Sequence, residues 1–158
     1  KIYLAHQMMH QGKWQRSIGK RLGKSVIGII GFGRVGQGVA RLLAGFQPQE
    51  ILVNDICDRS RVIKEFQEVS GMNIRFAEKD EIYSQSNIVT LHVPLTSETK
   101  NMVNKKQINR MRKDSYLINH ARGGIICEND LYDALKNQVI AGAALGAISG
   151  VIISKGKA

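Results

Sequence analysis

The sequence of 158 residues predicts an α/β fold, a doubly wound parallel sheet in three layers. Short β-branched apolar segments alternate with amphipathic segments along most of the chain, as expected of buried parallel strands joined by helices. The first apolar segment, Val26 to Ile30, ends in a glycine turn, and no repeat or low-complexity linker interrupts the alternation. Strands of this kind are expected in the order 3-2-1-4-5-6, with ligands at their carboxyl ends.

The predicted elements follow one another through the chain. Residues 1–16 have helical character, and the polar segment 16–24 connects them to the first strand. Apolar, β-branched character predicts strands over 25–31, 50–55, 74–76, 88–93, 116–119 and 139–145. The segments between these strands predict helices over 36–46, 59–69, 80–84, 105–112 and 128–137.

Each glycine of the first turn has a physical function. Gly31 can make the tight exit from the strand, Gly33 leaves room for a pyrophosphate, and Gly36 lets the next helix pack closely. The N-terminal amides of that helix would point at the phosphates. Asp55 follows the second strand, where a carboxylate can accept hydrogen bonds from a ribose diol. Together these features predict a dinucleotide site of Rossmann type; the alternative is a Rossmann-like domain whose pocket stays empty.

The position of Asp55 also bears on the choice of dinucleotide. A carboxylate there would repel and crowd a 2′-phosphate, so we expect NAD to be preferred over NADP. Arg59 and Arg61 oppose this inference if they approach the ribose. The alternative is that both arginines face solvent on the next helix.

Composition places the chain among soluble globular domains. It is 43% hydrophobic and 23% charged, and no apolar stretch is long enough to span a membrane. The start lacks the apolar core of a secretion signal, so we expect a cytoplasmic location without membrane contact. Cys57 and Cys127 are far apart, which predicts neither a disulfide framework nor a metal site.

The net charge of +10 is concentrated in two basic runs, 1–24 and 100–113. Such runs could steer polyanions, including nucleic acid, toward the surface. The alternative is a solvated helix face. We favour the latter because no aromatic residues interleave with the second run as a base-stacking platform would require.

Two segments, 91–96 (LHVPLT) and 117–124 (LINHARGG), resemble the NAD-dependent D-isomer-specific 2-hydroxyacid dehydrogenases. The resemblance spans about 13–145 and includes the glycine turn and the segment 140–145. It implies a nucleotide-binding domain that is inserted, in sequence, within a substrate domain built from both chain ends. We therefore expect a leading helix and connection over 1–24, an NAD-binding domain over 25–145 and a divergent tail over 146–158, with the substrate domain absent.

The resemblance also implies a role for individual residues. Arg122 would be the catalytic residue, because a guanidinium can hold a 2-oxo-carboxylate through two hydrogen bonds and polarise its carbonyl. The alternative is a turn arginine that caps neighbouring carbonyls. For the cofactor, Gly31, Gly33 and Gly36 would hold the pyrophosphate with Arg34 and Val35 in contact, Asp55 would bind the adenosine ribose, Val93 and Pro94 would border the adenine side, and His120, Ala121 and Arg122 would lie near the nicotinamide.

The sequence departs from the family pattern near its end. Gly146 stands where the family has an aspartate, the last glutamate is Glu128 and the last histidine is His120. The catalytic glutamate and histidine of the family are thus missing, so we expect this chain alone to be catalytically incomplete. His120 is a poor substitute and is expected to line the cofactor. Truncation, a frame change, an engineered end and divergence all remain open for the tail.

Two functions follow from these observations. The first is the NAD-binding domain of an oxidoreductase that transfers hydride between NAD and a small 2-hydroxy or 2-oxo acid; phosphoglycerate, glyoxylate and lactate types remain open. The second is an NAD-responsive, non-catalytic binding module like the co-repressors of the same family. The resemblance further implies a homodimer in which residues 5–14 contribute. Trp14 would anchor that interface or pack on its own domain.

Overall fold

The computed structural model describes residues 2–14 and 19–146, with side chains from residue 5 onward. The strands are β1 (Val26–Ile30), β2 (Glu50–Asn54), β3 (Ile74–Phe76), β4 (Ile88–Leu91), β5 (Tyr116–Asn119) and β6 (Gly142–Leu145). The helices are α1 (Ile2–His10), α2 (Arg34–Ala44), α3 (Ser60–Ser70), α4 (Lys79–Gln85), α5 (Lys105–Ile108) and α6 (Glu128–Lys136), with a 3-10 turn at Leu22–Lys24.

The described strands form one parallel sheet in the order β3-β2-β1-β4-β5-β6, which confirms the predicted fold. Ile30 at the end of β1 lies opposite Asn54 of β2 on one side and Leu91 of β4 on the other. The carboxyl ends of the three strands therefore meet at one edge, and the residues that follow each strand share that edge.

Alternation along the strands fills two apolar cores, one on each face of the sheet. On one face, Ile29 and Ile51 pack with residues of α2 and α3 such as Ala40 and Phe66. On the other face, strand residues pack with residues of α4, α5 and α6: Leu52, Val89 and Leu117 with Ile82, Ile108 and Leu131. The three predicted layers are thus present.

Several element boundaries differ from prediction. The first helix ends at His10, although helical character is predicted over 1–16. Helix α2 begins at Arg34 rather than 36, because Gly33 is already its N-cap. Strand β4 ends at Leu91 rather than 93; His92 still donates its N–H to Ile30, but Pro94 has no N–H to continue the ladder. Helix α5 ends at Ile108 rather than 112, and 3-10 type bonds continue it. Strand β6 begins at Gly142 rather than 139, since the chain bends after Gln138, whose φ is 54°.

The N-terminal segment stands apart from this core. In α1 and the residues up to Trp14, every side chain that the structure describes is exposed or half-buried. Trp14 is 82% exposed, so the alternative in which it packs on its own domain is wrong. Residues 15–18, at the junction of the predicted helical segment and its connection, and residues 147–158 of the predicted tail lie outside the described residues. None of the described helices is long and apolar enough to cross a membrane.

Candidate cofactor site

The turn between β1 and α2 is shaped by two glycines that admit no side chain. Gly31 has a φ of +93°, and a β-carbon there would lie 2.5 Å from the carbonyl oxygen of His92. A β-carbon on Gly36 would collide with the carbonyl oxygen of Gly31. Gly33, between them, has open space where its side chain would be. Because the first N–H groups of a helix lack intrahelical acceptors, the opening above Gly33 is a cradle that suits a pyrophosphate.

Asp55 follows β2 and is tied to the glycine turn. Its Oδ2 accepts a hydrogen bond of 2.7 Å from the N–H of Phe32, and its Oδ1 accepts one of 2.9 Å from the N–H of Cys57. The Nε of Arg59 lies 3.4 Å from Oδ2. Burial raises the pKa of Asp55, but the two backbone N–H groups and Arg59 together lower it below its ordinary value. The carboxylate is therefore ionised and fixed in place at neutral pH.

Arg59 does not face solvent as the sequence alternative held, because it pairs with Asp55. Its Nε is buried and has no hydrogen bond of good geometry, while Arg61, in the first turn of α3, is exposed. The sequence offered one signal for this pairing. Arg59 lies four residues after Asp55, but without the loop geometry that spacing does not show which way the side chain turns.

The loop after β4 forms the wall of the cleft. Thr99 braces it, since its Oγ1 donates to the carbonyl of Pro94 at 2.6 Å and accepts from the N–H of Thr96 at 2.7 Å. His92 is half-buried, with its Nε2 3.0 Å from Oγ1 of Thr90. Burial, followed by the nearby His120, lowers the pKa of His92. His92 is thus held in the neutral form at pH 7.

Beyond β5, Asn119 organises the turn that carries Arg122. The buried Asn119 amide donates to the carbonyl of Arg122 at 2.8 Å and accepts from the N–H of Ala121 at 3.1 Å. The guanidinium of Arg122 is exposed and donates to the carbonyl of Ala121 at 2.8 Å. The carbonyl-capping contact anticipated as the alternative is therefore present. It occupies one nitrogen, Nη1, of a group that carries five N–H donors.

These segments enclose one continuous cleft along the carboxyl edge of the sheet. It consists of two adjoining depressions of about 780 and 580 Å³ that share Gly33, His92, Val93 and Pro94. Every cofactor residue predicted from sequence lines the cleft except Gly36, which lies behind it. The larger depression adds Arg34, Val35, His120, Ala121 and Arg122, and the smaller adds Gly31, Asp55 and Arg59. Across residues 2–14 and 19–146, the structure has no cluster of side chains that could hold a metal.

The sequence matches the model of a known protein family. The model for the D-isomer specific 2-hydroxyacid dehydrogenase, NAD binding domain, matches residues 1–151. The chain belongs to this family. It is an NAD-binding domain of the kind found in that family, its cofactor is NAD, and the co-repressor alternative receives no support.

Relatives and solved structures agree with this assignment. A glyoxylate reductase of Thermofilum pendens is 36% identical over 151 residues, which cover 92% of this chain and 43% of the relative. The crystal structure of a D-lactate dehydrogenase with NAD+ from Lactobacillus jensenii aligns with a TM-score of 0.83 at 28% identity, over 94% of this chain and 43% of that one. The crystal structure of an NAD-dependent formate dehydrogenase from Staphylococcus aureus, in complex with NAD, aligns with a TM-score of 0.78 at 33% identity. The alignment covers 93% of this chain and 43% of that one. The chain thus spans less than half the length of these dehydrogenases.

Proposed function

We propose that this chain binds NAD along the cleft as the cofactor-binding part of an enzyme that interconverts 2-hydroxy and 2-oxo acids. In this proposal the glycine turn, with Arg34 and Val35, takes the pyrophosphate and Asp55 takes the adenosine ribose. The adenine side is bordered by Val93 and Pro94, and the nicotinamide half lies over residues 120–122. The observation that carries the proposal is that one cleft joins the open cradle at Gly33 to the fixed carboxylate of Asp55 on one side and to Arg122 on the other.

Arg122 is the residue that we propose for the substrate. When bound, NAD supplies or accepts the hydride, and the protein must hold the acid beside it. The guanidinium of Arg122 is exposed in the cleft, with donors left over after its contact with Ala121. A guanidinium can pair with a carboxylate through two hydrogen bonds and polarise the adjoining carbonyl. Relatives named as glyoxylate, hydroxypyruvate and aromatic 2-oxoacid reductases support a small 2-oxo acid as the substrate class.

We also propose that these 158 residues alone do not complete the reaction. Reduction of a ketone needs a proton donor beside the hydride donor. Among the described residues of the larger depression the candidate proton donors are His92 and His120, and no carboxylate lines it to orient either imidazole. Mixing the chain with NADH and glyoxylate should give no oxidation of NADH, although NADH binds. Sustained oxidation would contradict this part of the proposal.

Calorimetric titration with NAD tests the binding function. The wild-type chain should bind, and Asp55→Ala should weaken binding about tenfold, because it removes the ribose acceptor and the anchor of the Phe32 N–H. Asp133→Ala is the matched control, since Asp133 is an exposed carboxylate on α6 outside the cleft. A folded wild-type chain that does not bind NAD would overturn the proposal.

We further propose a homodimer that forms through the N-terminal segment. Met9 and Trp14 are 59% and 82% exposed, and methionine and aromatic side chains are enriched at protein interfaces. Sedimentation velocity should show a dimer for the wild type and a shift toward monomer for Trp14→Ser. Tyr132→Ser, which removes a half-exposed aromatic ring from α6, should leave the dimer intact. A monomeric wild-type chain would refute this proposal.

Two ion pairs bear on the basic run 100–113. Arg110 pairs with Asp80, and Arg112 pairs with Asp114 at 2.8 Å. Part of the positive charge is thus balanced locally, which supports a solvated surface rather than a nucleic-acid interface.

For the location of the protein we propose the cytoplasm. The exposed, unpaired thiol of Cys57 supports this proposal, because thiols persist unpaired in reducing compartments.

A further inference from the structure

Leu95 is an apolar side chain that lines the larger depression of the cleft and has no part in the proposed cofactor contacts. It follows Pro94 in the loop after β4 and is 48% exposed. A β-carbon on Gly124 would lie 3.6 Å from its Cδ1 and 3.8 Å from its Cδ2. Both methyl groups of Leu95 therefore lie over the turn that carries Arg122, so the group proposed for the substrate carboxylate has an apolar surface beside its turn.

The permanent charge of the larger depression comes from two guanidinium groups. Among the lining residues that the structure describes, Arg34 and Arg122 are the only lysine or arginine residues, and none is acidic. In the proposed placement Arg34 takes the pyrophosphate and Arg122 takes the carboxylate of the acid. The described lining residues therefore offer no further lysine or arginine to a second anionic group on the substrate.

The larger depression has room for more than the nicotinamide half of the cofactor. Its volume of about 780 Å³ lies in the upper part of the range, roughly 300–1,000 Å³, that accommodates drug-sized ligands. Half of a dinucleotide is smaller than such a ligand, so a small 2-oxo acid can share the space. With its carboxylate on Arg122 and its carbonyl beside the nicotinamide, the acid has one group left, the substituent on its carbonyl carbon, to meet the wall formed by Leu95.

We infer that Leu95 selects the substituent of the substrate, and that the substrates of this site are 2-oxo monocarboxylates with an apolar side chain. This inference rests on the proposed function and narrows its substrate class. An apolar substituent removes part of Leu95 from water, which favours binding by an amount that grows with the buried area. A second anionic group in that position would lose water without gaining a lysine or arginine partner among the described lining residues, which opposes binding. Of the types that the sequence left open, the lactate type therefore fits this wall and the phosphoglycerate type does not, while glyoxylate has only a hydrogen to place there.

The test is a titration of the NADH-saturated chain with glyoxylate, pyruvate, 4-methyl-2-oxopentanoate and 2-oxoglutarate, in which amide chemical shifts report each Kd. The chain is proposed not to complete the reaction, so the complexes persist during the titration. We expect 4-methyl-2-oxopentanoate to bind about five- to tenfold more tightly than pyruvate, or about twofold for each added carbon on a half-exposed surface. Glyoxylate and 2-oxoglutarate should each bind about twofold or more weakly than pyruvate. Leu95→Asn should bring the Kd values of pyruvate and 4-methyl-2-oxopentanoate to within about twofold of each other.

Controls separate the inference from the proposed function. Leu42→Asn is the matched variant, because Leu42 is 78% exposed on α2 and lies outside the cleft, and it should keep the wild-type order of affinities. If Leu95→Asn also keeps that order, or if the wild type binds glyoxylate or 2-oxoglutarate as tightly as 4-methyl-2-oxopentanoate, the inference is overturned and the proposed function stands. A chain that binds NADH but none of the acids overturns the inference and the role of Arg122, and leaves cofactor binding standing. A folded chain that does not bind NADH overturns the proposed function as well.

Discussion

The two halves of the cleft are built differently. In the adenosine half, Asp55 accepts hydrogen bonds from the N–H groups of Phe32 and Cys57 and forms an ion pair with Arg59. Its negative charge is therefore stabilised by the protein itself, without a ligand. In the nicotinamide half, Arg34 and Arg122 point into the cleft without an acidic partner among the described lining residues. The first half is preorganised by local bonds, whereas the second offers uncompensated positive charge to an anionic ligand.

The largest effect is expected at the glycine turn, which joins the two halves. Gly36→Ala would force its β-carbon into the carbonyl oxygen of Gly31, and a backbone neighbour cannot rotate away. We expect a loss of about 1–3 kcal/mol in the free energy of unfolding, as for other overpacked sites, and NAD affinity reduced at least tenfold. Urea unfolding and calorimetry measure the two effects.

Gly38→Ala is the matched control on the same helix, because a β-carbon there meets open space. It should retain NAD binding and gain up to about 1 kcal/mol of stability from helix propensity. If Gly36→Ala bound NAD as the wild type does, close packing of α2 against the turn would not be needed for the site.

A smaller effect is expected when the adenosine half loses its internal charge. Asp55→Asn keeps the shape of the side chain but replaces one carboxylate oxygen with an NH2 group. That NH2 would face the backbone N–H of Phe32 or Cys57, so one of the two hydrogen bonds would be lost. We expect the free energy of unfolding to fall by about 1–2 kcal/mol at pH 7, the size of a lost, partly buried hydrogen bond. Thermal unfolding of the variant beside Asp133→Asn measures it.

The same carboxylate predicts a pH dependence. The pKa of Asp55 is lowered in the folded chain from an ordinary value of 3.8. Its contribution is therefore fully present above pH 3.8 and is lost as the pH falls through the lowered pKa. In urea titrations between pH 6 and pH 2, the free energy of unfolding should fall less steeply with decreasing pH for Asp55→Asn than for the wild type. Parallel curves would mean that Asp55 has the same pKa in the folded and unfolded chain.

How much of this could be predicted from sequence differs between the two halves. The strands, the glycine turn and the position of Asp55 follow from local patterns, since each depends on residues close in sequence. The strand order followed from the general rule for doubly wound parallel sheets. The pairing of Arg59 with Asp55 could not be predicted, because it depends on how the loop after β2 orients the residue that caps α3. The position of Leu95 over the turn at Gly124 was equally hidden: it joins the loops after β4 and β5, which become neighbours only in the folded sheet. The end of α5 at Ile108 depended on a local switch to 3-10 bonds that the apolar pattern does not encode.

The smallest effect is expected from the ion pair that balances Asp55. Arg59 lies 3.4 Å from the carboxylate but is partly exposed, so water and salt screen the pair. Arg59→Gln should change the affinity for NAD only two- to threefold, because the backbone bonds still hold Asp55. It should weaken any binding of NADP more strongly, since a guanidinium beside the ribose is the group that accommodates a 2′-phosphate. Arg61→Gln, two residues further along and exposed, should alter neither affinity. If Arg59→Gln weakened the affinities for NAD and NADP equally, Arg59 would act only through Asp55. The preference for NAD over NADP would then depend on the carboxylate of Asp55.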